Sequence, residues 1–583
     1  MSVSLARGRA LSWLSAAIGV IVAGLVVVSP ARGLTNTTGT VNINEFVGAD
    51  TFYQAGYDGS GVGVGNIEAG HAWTGHETLN HINPLHRING GFVNGQDDRH
   101  ATWTGFILGG RPTDPNQPDE SQRGIAYGAE LWTGAIAANW NPNGTNYSTS
   151  FSINNTTAVE WPYQIMAETG LLGEKVDVIN SSWGQLDING SGIMTKLVDA
   201  VVSRSNVTIV AAVGNNFSDP NGVLGPAVGQ NVLAVGAVSD GLDPGPYYDQ
   251  VPSFSSRGPS RFWIPDDREG LTGTRVPGGQ SSVDLVAPAR RLLLAGYDGK
   301  TGGAAWETTP ATLAPDLYHS NRVGTSFASP VVAGGAALIV DVGKDRSAQY
   351  GGLEAIDSRV VKSVLMNSAD KLVNWDNGQT LVGNVISTDQ SLDHEQGTGR
   401  VNLAQAFDQY TAGTTNLPTL GGGDVMDIGW DFGQVGSGAP TDYLFIDELE
   451  GGSMLTATLD WLSDRDHDYD LHRSFFDSFD DLNLEIWQTD DVGTPLSLIA
   501  ESVSLYNNTE HLHIAVPQTD YYGIRVVWDS EVYDFVGDVD VEQYGLAWSA
   551  TFAQDATDVP GPAALLMGIG GMGWIAGRRG RRA

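Results

Sequence analysis

The 583-residue chain contains no cysteine. That excludes disulfide cross-links, thiol catalysis and cysteine-ligated zinc. Basic residues are scarce: 31 Lys and Arg stand against 67 Asp and Glu, a formal net charge of −36. Such a surface repels nucleic acid, which argues against DNA or RNA as a partner. It fits a solvated acidic exterior, or one that holds divalent cations. Charged residues make up only 17% of the chain and apolar residues 41%, an ordinary globular balance with length for more than one core. Glycine is abundant at 75 residues, which favours tight turns and close backbone approaches over long helical bundles.

Between the ends, residues 34–412 alternate apolar β-rich runs with helical patterns. Val62 to Ile67, Val176 to Ile179, Val207 to Val213 and Val232 to Val238 read as buried parallel strands. Thr195 to Arg204 and Pro330 to Val340 read as helices. This alternation predicts an α/β fold, a parallel sheet covered by helices on both faces. Thr411 to Gly423, rich in Thr, Asn, Pro and Gly, reads as a linker. From 424 to 556 the strands are short, alternating and aromatic, as in Leu482 to Trp487 and Tyr522 to Trp528, which predicts a small all-β sandwich or barrel domain.

Both termini read as address labels. Arg7 and Arg9 precede an apolar run from Leu11 to Val28, and Ala31 and Gly33 occupy the two small-residue positions of a cleavage site. Residues 1–33 are therefore expected to be a signal peptide cut after Gly33, with an uncleaved anchor helix as the alternative. At the other end, residues 559–583 run Val559-Pro560-Gly561-Pro562, an apolar stretch from Ala563 to Ala576, then Arg578, Arg579, Arg581 and Arg582. A stretch this short crosses a membrane marginally, with the arginines left on the cytoplasmic side. The arrangement resembles the PEP-CTERM sorting signal, with Gly561 where that motif usually has Glu. The resemblance implies export machinery and an exosortase-like sorting enzyme as partners, and an extracellular or cell-envelope location with transient membrane anchoring.

The most specific internal feature is Gly324-Thr325-Ser326-Phe327-Ala328-Ser329-Pro330, followed by an apolar helical run. A Ser at a helix start sits among free N–H groups that stabilise negative charge beside it. By position alone it is a helix cap as readily as a nucleophile. The stretch GTSFASPVVAG resembles the nucleophile motif of the subtilisin-like serine peptidases (subtilases, peptidase family S8). The resemblance implies that Ser326 is the nucleophile and that its own N–H is one oxyanion donor.

A hydroxyl needs a base to attack at neutral pH, and the 11 His cannot be ranked on sequence pattern alone. His100-Ala101-Thr102-Trp103-Thr104-Gly105 resembles the family's HGTHVAG, which implies His100 as the base. Val207 to Asn215 resembles the strand whose terminal Asn completes the oxyanion hole, which implies Asn215 for that role and Ala212, Val213 and Gly214 as one pocket wall. Ile179 to Gly184 resembles the segment that pairs with an extended substrate, which implies substrate contacts at Ser182, Trp183 and Gly184. Ser253 to Pro259, Asp284 to Pro288 and Gly397 to Asn402 resemble further landmarks of the family. Where the family has an Asp at the end of the first core strand, this chain has Glu68 in Val62 to Gly70. Glu68 is expected to orient His100, at the expense of one extra methylene in the geometry. The stretch between residue 34 and that strand is shorter than the inhibitory pro-domain of most secreted subtilases. The accessory region resembles the pre-peptidase C-terminal type of β-domain.

The expected activity is hydrolysis of protein or peptide substrates through an acyl-enzyme on Ser326, by a monomer, with no cofactor needed for catalysis. The alternative is a catalytically impaired subtilase fold kept as a surface binding or structural protein, motivated by Glu68 and Ala101. Zinc hydrolysis fails on spacing: His76-Glu77 begins an HExxH pattern, but the next His is His81, on a different helix face. Asp464, Asp466, Asp468 and Asp470 alternate through DRDHDYD. They read as a solvated loop, with structural calcium as the alternative; Tyr469 stands where a calcium loop of the EF-hand type has Gly.

Overall fold

A computed structural model describes residues 42–551 apart from 94, 113–122, 144–145, 217–221, 240–247, 298–317, 320–321, 415–420 and 538. The expected signal peptide and the sorting tail lie outside the described residues. The centre of the first region is a sheet of seven strands: β1 (Gly63–Glu68), β2 (Arg87–Asn89), β3 (Glu130–Ala135), β4 (Val178–Ser181), β5 (Thr208–Ala212), β6 (Leu233–Val238) and β7 (Leu285–Pro288). Their order is β7-β6-β5-β4-β1-β3-β2, and every pairing is parallel.

Alternate residues of these strands face opposite sides, and each side has its own core. Val64, Val178, Val210, Leu233 and Val235 pack on one face with helices α1 (Arg99–Gly109), α3 (Thr325–Asp345) and α4 (Ser358–Asn367). Ile67, Ile179, Ile209, Ala211 and Val238 pack on the other, with α2 (Ile193–Ser205). The expected helix-covered parallel sheet is therefore observed. Helix α3 is the one described helix long and apolar enough to cross a membrane, but 94% of its apolar window is buried in this core.

Two further sheets share a third core containing Trp461, Leu484, Tyr443 and Trp548. One is antiparallel: Ile428–Gly436, Val541–Thr551, Met454–Trp461 and Thr509–Ala515, in that order. The other is mixed and has seven strands. Its strands reach 14 residues in Tyr521–Asp534, longer than the short strands expected. It also takes in a hairpin, Thr380–Val382 and Val385–Thr388, whose second arm pairs in parallel with Pro495–Ser502. That hairpin precedes α5 (Leu403–Ala412), so the second sheet reaches back across the expected linker into the segment before 412.

Buried polar groups join the two regions. Lys362 on α4 is 4% exposed and lies 2.9 Å from Asp460, itself 1% exposed, and 3.7 Å from Asp284. Ser463 and Asn231 exchange two hydrogen bonds of 2.8 Å. Gly545 packs against the α4 backbone so closely that a Cβ there would sit 2.3 Å from the carbonyl oxygen of Arg359. Only a residue without a side chain fits that approach.

Candidate active site

Strand β1 ends at Glu68, which is 1% exposed. Helix α1 begins one residue before His100, and Asp98 caps it by accepting from the Ala101 N–H at 3.1 Å. Nδ1 of His100 lies 3.0 Å from Glu68 Oε2. The second carboxylate oxygen accepts from the Thr104 hydroxyl at 3.1 Å. Asn66, two residues earlier on β1, donates to Ala101 O and to Thr104 Oγ1, both at 3.1 Å. The Glu that stands in place of Asp thus reaches the imidazole, and its length is taken up by partners on the next two turns of α1.

Ser326 is the second residue of α3, where N–H groups have no intrahelical acceptor. Its hydroxyl donates to Ser182 O at 3.4 Å, while the Ser182 hydroxyl donates to Ser326 O at 2.9 Å. No hydrogen bond joins Ser326 Oγ to His100 among the described residues, although both line one cleft of ≈ 830 Å³. Asn215 follows β5, and its Oδ1 accepts from the Thr325 N–H at 2.9 Å. With the oxygen so engaged, the amide N–H₂ is left as the donor toward the cleft. The Gly214 N–H donates to Thr325 Oγ1 at 3.2 Å, which ties the end of β5 to the start of α3.

The predicted residues Glu68, His100, Ser182, Trp183, Gly184, Ala212, Gly214, Asn215 and Ser326 all line this cleft. Val213 does not; its side chain is buried in the core on the α2 side. Trp103, which replaces a His in the motif, is 5% exposed and packs near the rings of His100 and Phe327 at 6.2 and 6.0 Å. Sequence reasoning missed the buried relay behind the site, in which Asn180 donates to Asn66 at 2.9 Å and accepts from Ser329 at 2.7 Å. It also missed the hairpin Asn139–Asn143 and Asn146–Ser152, which brings Trp140 and Phe151 to the cleft. The signal was present: Asn66, Asn180 and Ser329 each sit within a quoted motif, but as polar residues at positions whose burial no pattern declares.

Charge around His100 is asymmetric. Burial alone lowers its pKa, but the charge and hydrogen bond of Glu68, helped by Asp98, hold it above the ordinary 6.5. Asp98 is itself pushed up to about 6, chiefly by burial, with His100 opposing and Glu68 adding to the rise.

Among the described residues the carboxylates of the acidic run do not bring three ligand atoms together. Asp466 faces Arg204 and Arg268, each at 3.3 Å, and Asp468 accepts from the N–H groups of Asp470 and Leu471 at 2.9 Å. Asp464 accepts from the Ser478 hydroxyl at 3.1 Å. The residues Arg465–Asp468 form a strand paired with Arg473–Phe476, with Asp464 before it and Asp470 in the turn after it, so the run is not one continuous loop. Among the described residues one set of His and carboxylate groups does converge: His86, Glu130 and Glu174. It lies at the opposite end of the sheet, since Glu130 pairs with Gly63 while Glu68 pairs with Ala135.

The model of the peptidase S8 subtilase family matches residues 83–399. That span contains His100, Asn215 and Ser326 and begins after Glu68. Serine protease AprX of Bacillus subtilis (strain 168) is 27% identical over 225 residues, 36% of this chain and 42% of that protein. Membrane-bound transcription factor site-1 protease of Rattus norvegicus is 27% identical over 238 residues, 40% of this chain and 16% of that protein. The alignments therefore span less than half the length of these relatives. The solved structure of the self-cleaved protease domain of PatA is 22% identical and covers 61% of this chain and 98% of its own, with a TM-score of 0.38.

Proposed function

The chain belongs to the subtilase family, and from that premise we propose that it is a serine endopeptidase in which Ser326 is acylated, His100 is the base and Glu68 orients it. Family membership supports serine peptidase activity on proteins or peptides. The assignment of roles rests above all on the 3.0 Å hydrogen bond between Glu68 and His100 at the cleft that Ser326 and Asn215 also line.

With Nδ1 donating to Glu68, the imidazole presents an unprotonated Nε2. Rotation about the Ser326 Cα–Cβ bond brings Oγ from the Ser182 carbonyl toward that nitrogen. Nε2 takes the hydroxyl proton as Oγ bonds to the peptide carbonyl carbon. The carbonyl oxygen becomes an oxyanion held by the Asn215 amide and the Ser326 N–H. The C–N bond then breaks, and His100 returns its proton to the leaving amine. Water attacks the acyl-enzyme by the same route and releases Ser326.

The sequence signals at the two ends support an exported protein, anchored transiently through residues 559–583. Residues 34–412 hold the proposed catalytic region and 424–556 the accessory one, with the hairpin at Thr380–Thr388 lending two strands of the first to a sheet of the second. A subtilase fold kept as a surface binding protein is the second reading, and the bond from Ser326 to Ser182 rather than to His100 favours it.

A fluorophosphonate probe separates the two readings. Under the first, the full chain is labelled, Ser326→Ala is not, and Glu68→Gln is labelled more slowly. A folded wild-type chain that takes no label belongs to the second.

A further inference from the structure

Gly184 and Gly214 face each other across one side chain. A Cβ added to Gly184 would lie 2.9 Å from Cβ and Cδ1 of Leu224, and one added to Gly214 would lie 2.9 Å from Cγ and Cδ1 of the same residue. Leu224 therefore fills the space between the two segments that border Ser326. Its backbone is fixed there. The Leu224 N–H donates to Val213 O at 3.0 Å, and the next residue, Gly225, exchanges hydrogen bonds of 3.0 and 2.9 Å with Gln185. Leu224, both glycines, Ala212 and Asn215 line the cleft that holds Ser326.

The position of the substrate side chain follows from the proposed roles of Ser326 and Asn215 and from Ala212 and Gly214 as a pocket wall. The attacked carbonyl oxygen points to the Asn215 amide, so the carbonyl carbon sits between Asn215 and Ser326. The Cα of the residue that supplies this carbonyl is one bond away, and with Ala212 and Gly214 as one pocket wall, as the family resemblance implies, it lies beside the end of β5. Its side chain is then directed between Gly184 and Gly214, into the space that Leu224 occupies.

We propose that Leu224 sets the cleavage preference and that the protein cuts after small residues, namely Gly, Ala and Ser. This rests on the reading of Ser326 as the nucleophile. A large side chain at that point would have to displace Leu224 from a backbone held on both sides, and overpacking of that kind is unfavourable. A small one meets the isobutyl group as the floor of a shallow recess. Small residues would leave the two glycines as walls and the leucine as the base.

The test is steady-state kinetics of the full chain on peptide p-nitroanilides of the form Ala-Ala-Pro-Xaa, with Xaa as Ala, Leu or Phe. The expected kcat/KM for Ala exceeds that for Phe about tenfold or more, the scale on which pockets discriminate by size. Leu224→Ala is expected to move the ratio toward Phe, and Leu224→Val to move it part of the way with a smaller cavity left behind. Preference for Phe in the wild type overturns the proposal without any variant. So does a Leu224→Ala or Leu224→Val protein that changes all three substrates by one factor, or a labelled enzyme that cleaves none of them. Failure of the nucleophile assignment looks different: the fluorophosphonate probe then leaves Ser326 unmodified, and the endopeptidase reading falls together with this proposal.

Discussion

Glu68 holds His100 with one carboxylate oxygen and Thr104 with the other, at 3.0 and 3.1 Å. Because both oxygens are engaged, the longer acidic side chain has no freedom to swing, and the imidazole keeps one orientation. The longer side chain therefore meets both the imidazole and the Thr104 hydroxyl.

Glu68→Gln keeps the shape of this contact and removes its charge. The imidazolium formed during attack then lacks its counter-charge, and the ring can adopt the wrong tautomer. The expected loss in kcat is about 10³–10⁴-fold, as for neutralising the acid of a Ser-His-acid triad. Peptide hydrolysis measures it, and an unchanged circular dichroism spectrum shows that the loss is not unfolding.

The pH profile follows from the shifted base. His100 must be unprotonated to act, and its pKa is held above 6.5 against the effect of burial. The rising limb of kcat/KM is therefore expected on the alkaline side of 6.5. Asp98→Asn retains a good helix cap and removes one of the negative charges that raise His100. Its limb should move to lower pH. A limb that stays in place would show that Asp98 acts on the helix alone.

Asn215→Ala removes a donor that matters once the oxyanion forms. The expected effect is a fall in kcat of about 10²–10³-fold with little change in KM. A variant in which KM rises and kcat holds would assign Asn215 to ground-state binding instead.

Lys362→Met leaves Asp460 and Asp284 buried without their cation. Breaking one partner of a buried ion pair costs about 3–5 kcal/mol, read as a lower urea midpoint. Replacing Asp460 by Leu in the same chain should recover part of that loss, because the two sites share one interaction.

Much of the α/β region was legible from sequence because its strands are continuous apolar runs. Thr208–Ala212 and Leu233–Val238 fall inside the predicted segments, and both are buried along their length. The site was legible where a long motif marks it, as around Ser326. Glu68 was found because it stands at the end of a recognisable strand. Leu224 was not, since its meaning depends on two glycines that lie next to it only after folding. Val213 was placed in the pocket wall by its neighbours, but strand alternation turns its side chain to the opposite core. The run from Asp464 to Asp470 reads as a solvated loop, with a bound cation as the alternative, because its like charges stand close in sequence. Two of the compensating charges, Arg204 and Arg268, are supplied from the other region, which no local pattern could announce.

The hairpin at Thr380–Thr388 has a bearing on the order of synthesis. It is made long before its partner strand, Pro495–Ser502, and Lys362 is made long before Asp460. A growing chain that has passed Thr388 thus holds Ser326, Lys362 and Asp284, but still carries an open sheet edge and lacks Asp460, the nearer of the two carboxylates beside Lys362. Both are completed only when Met454–Trp461 and Pro495–Ser502 have been made. A product terminated before Asp460 would therefore hold Glu68, His100, Asn215 and Ser326 without the strands that cover α4.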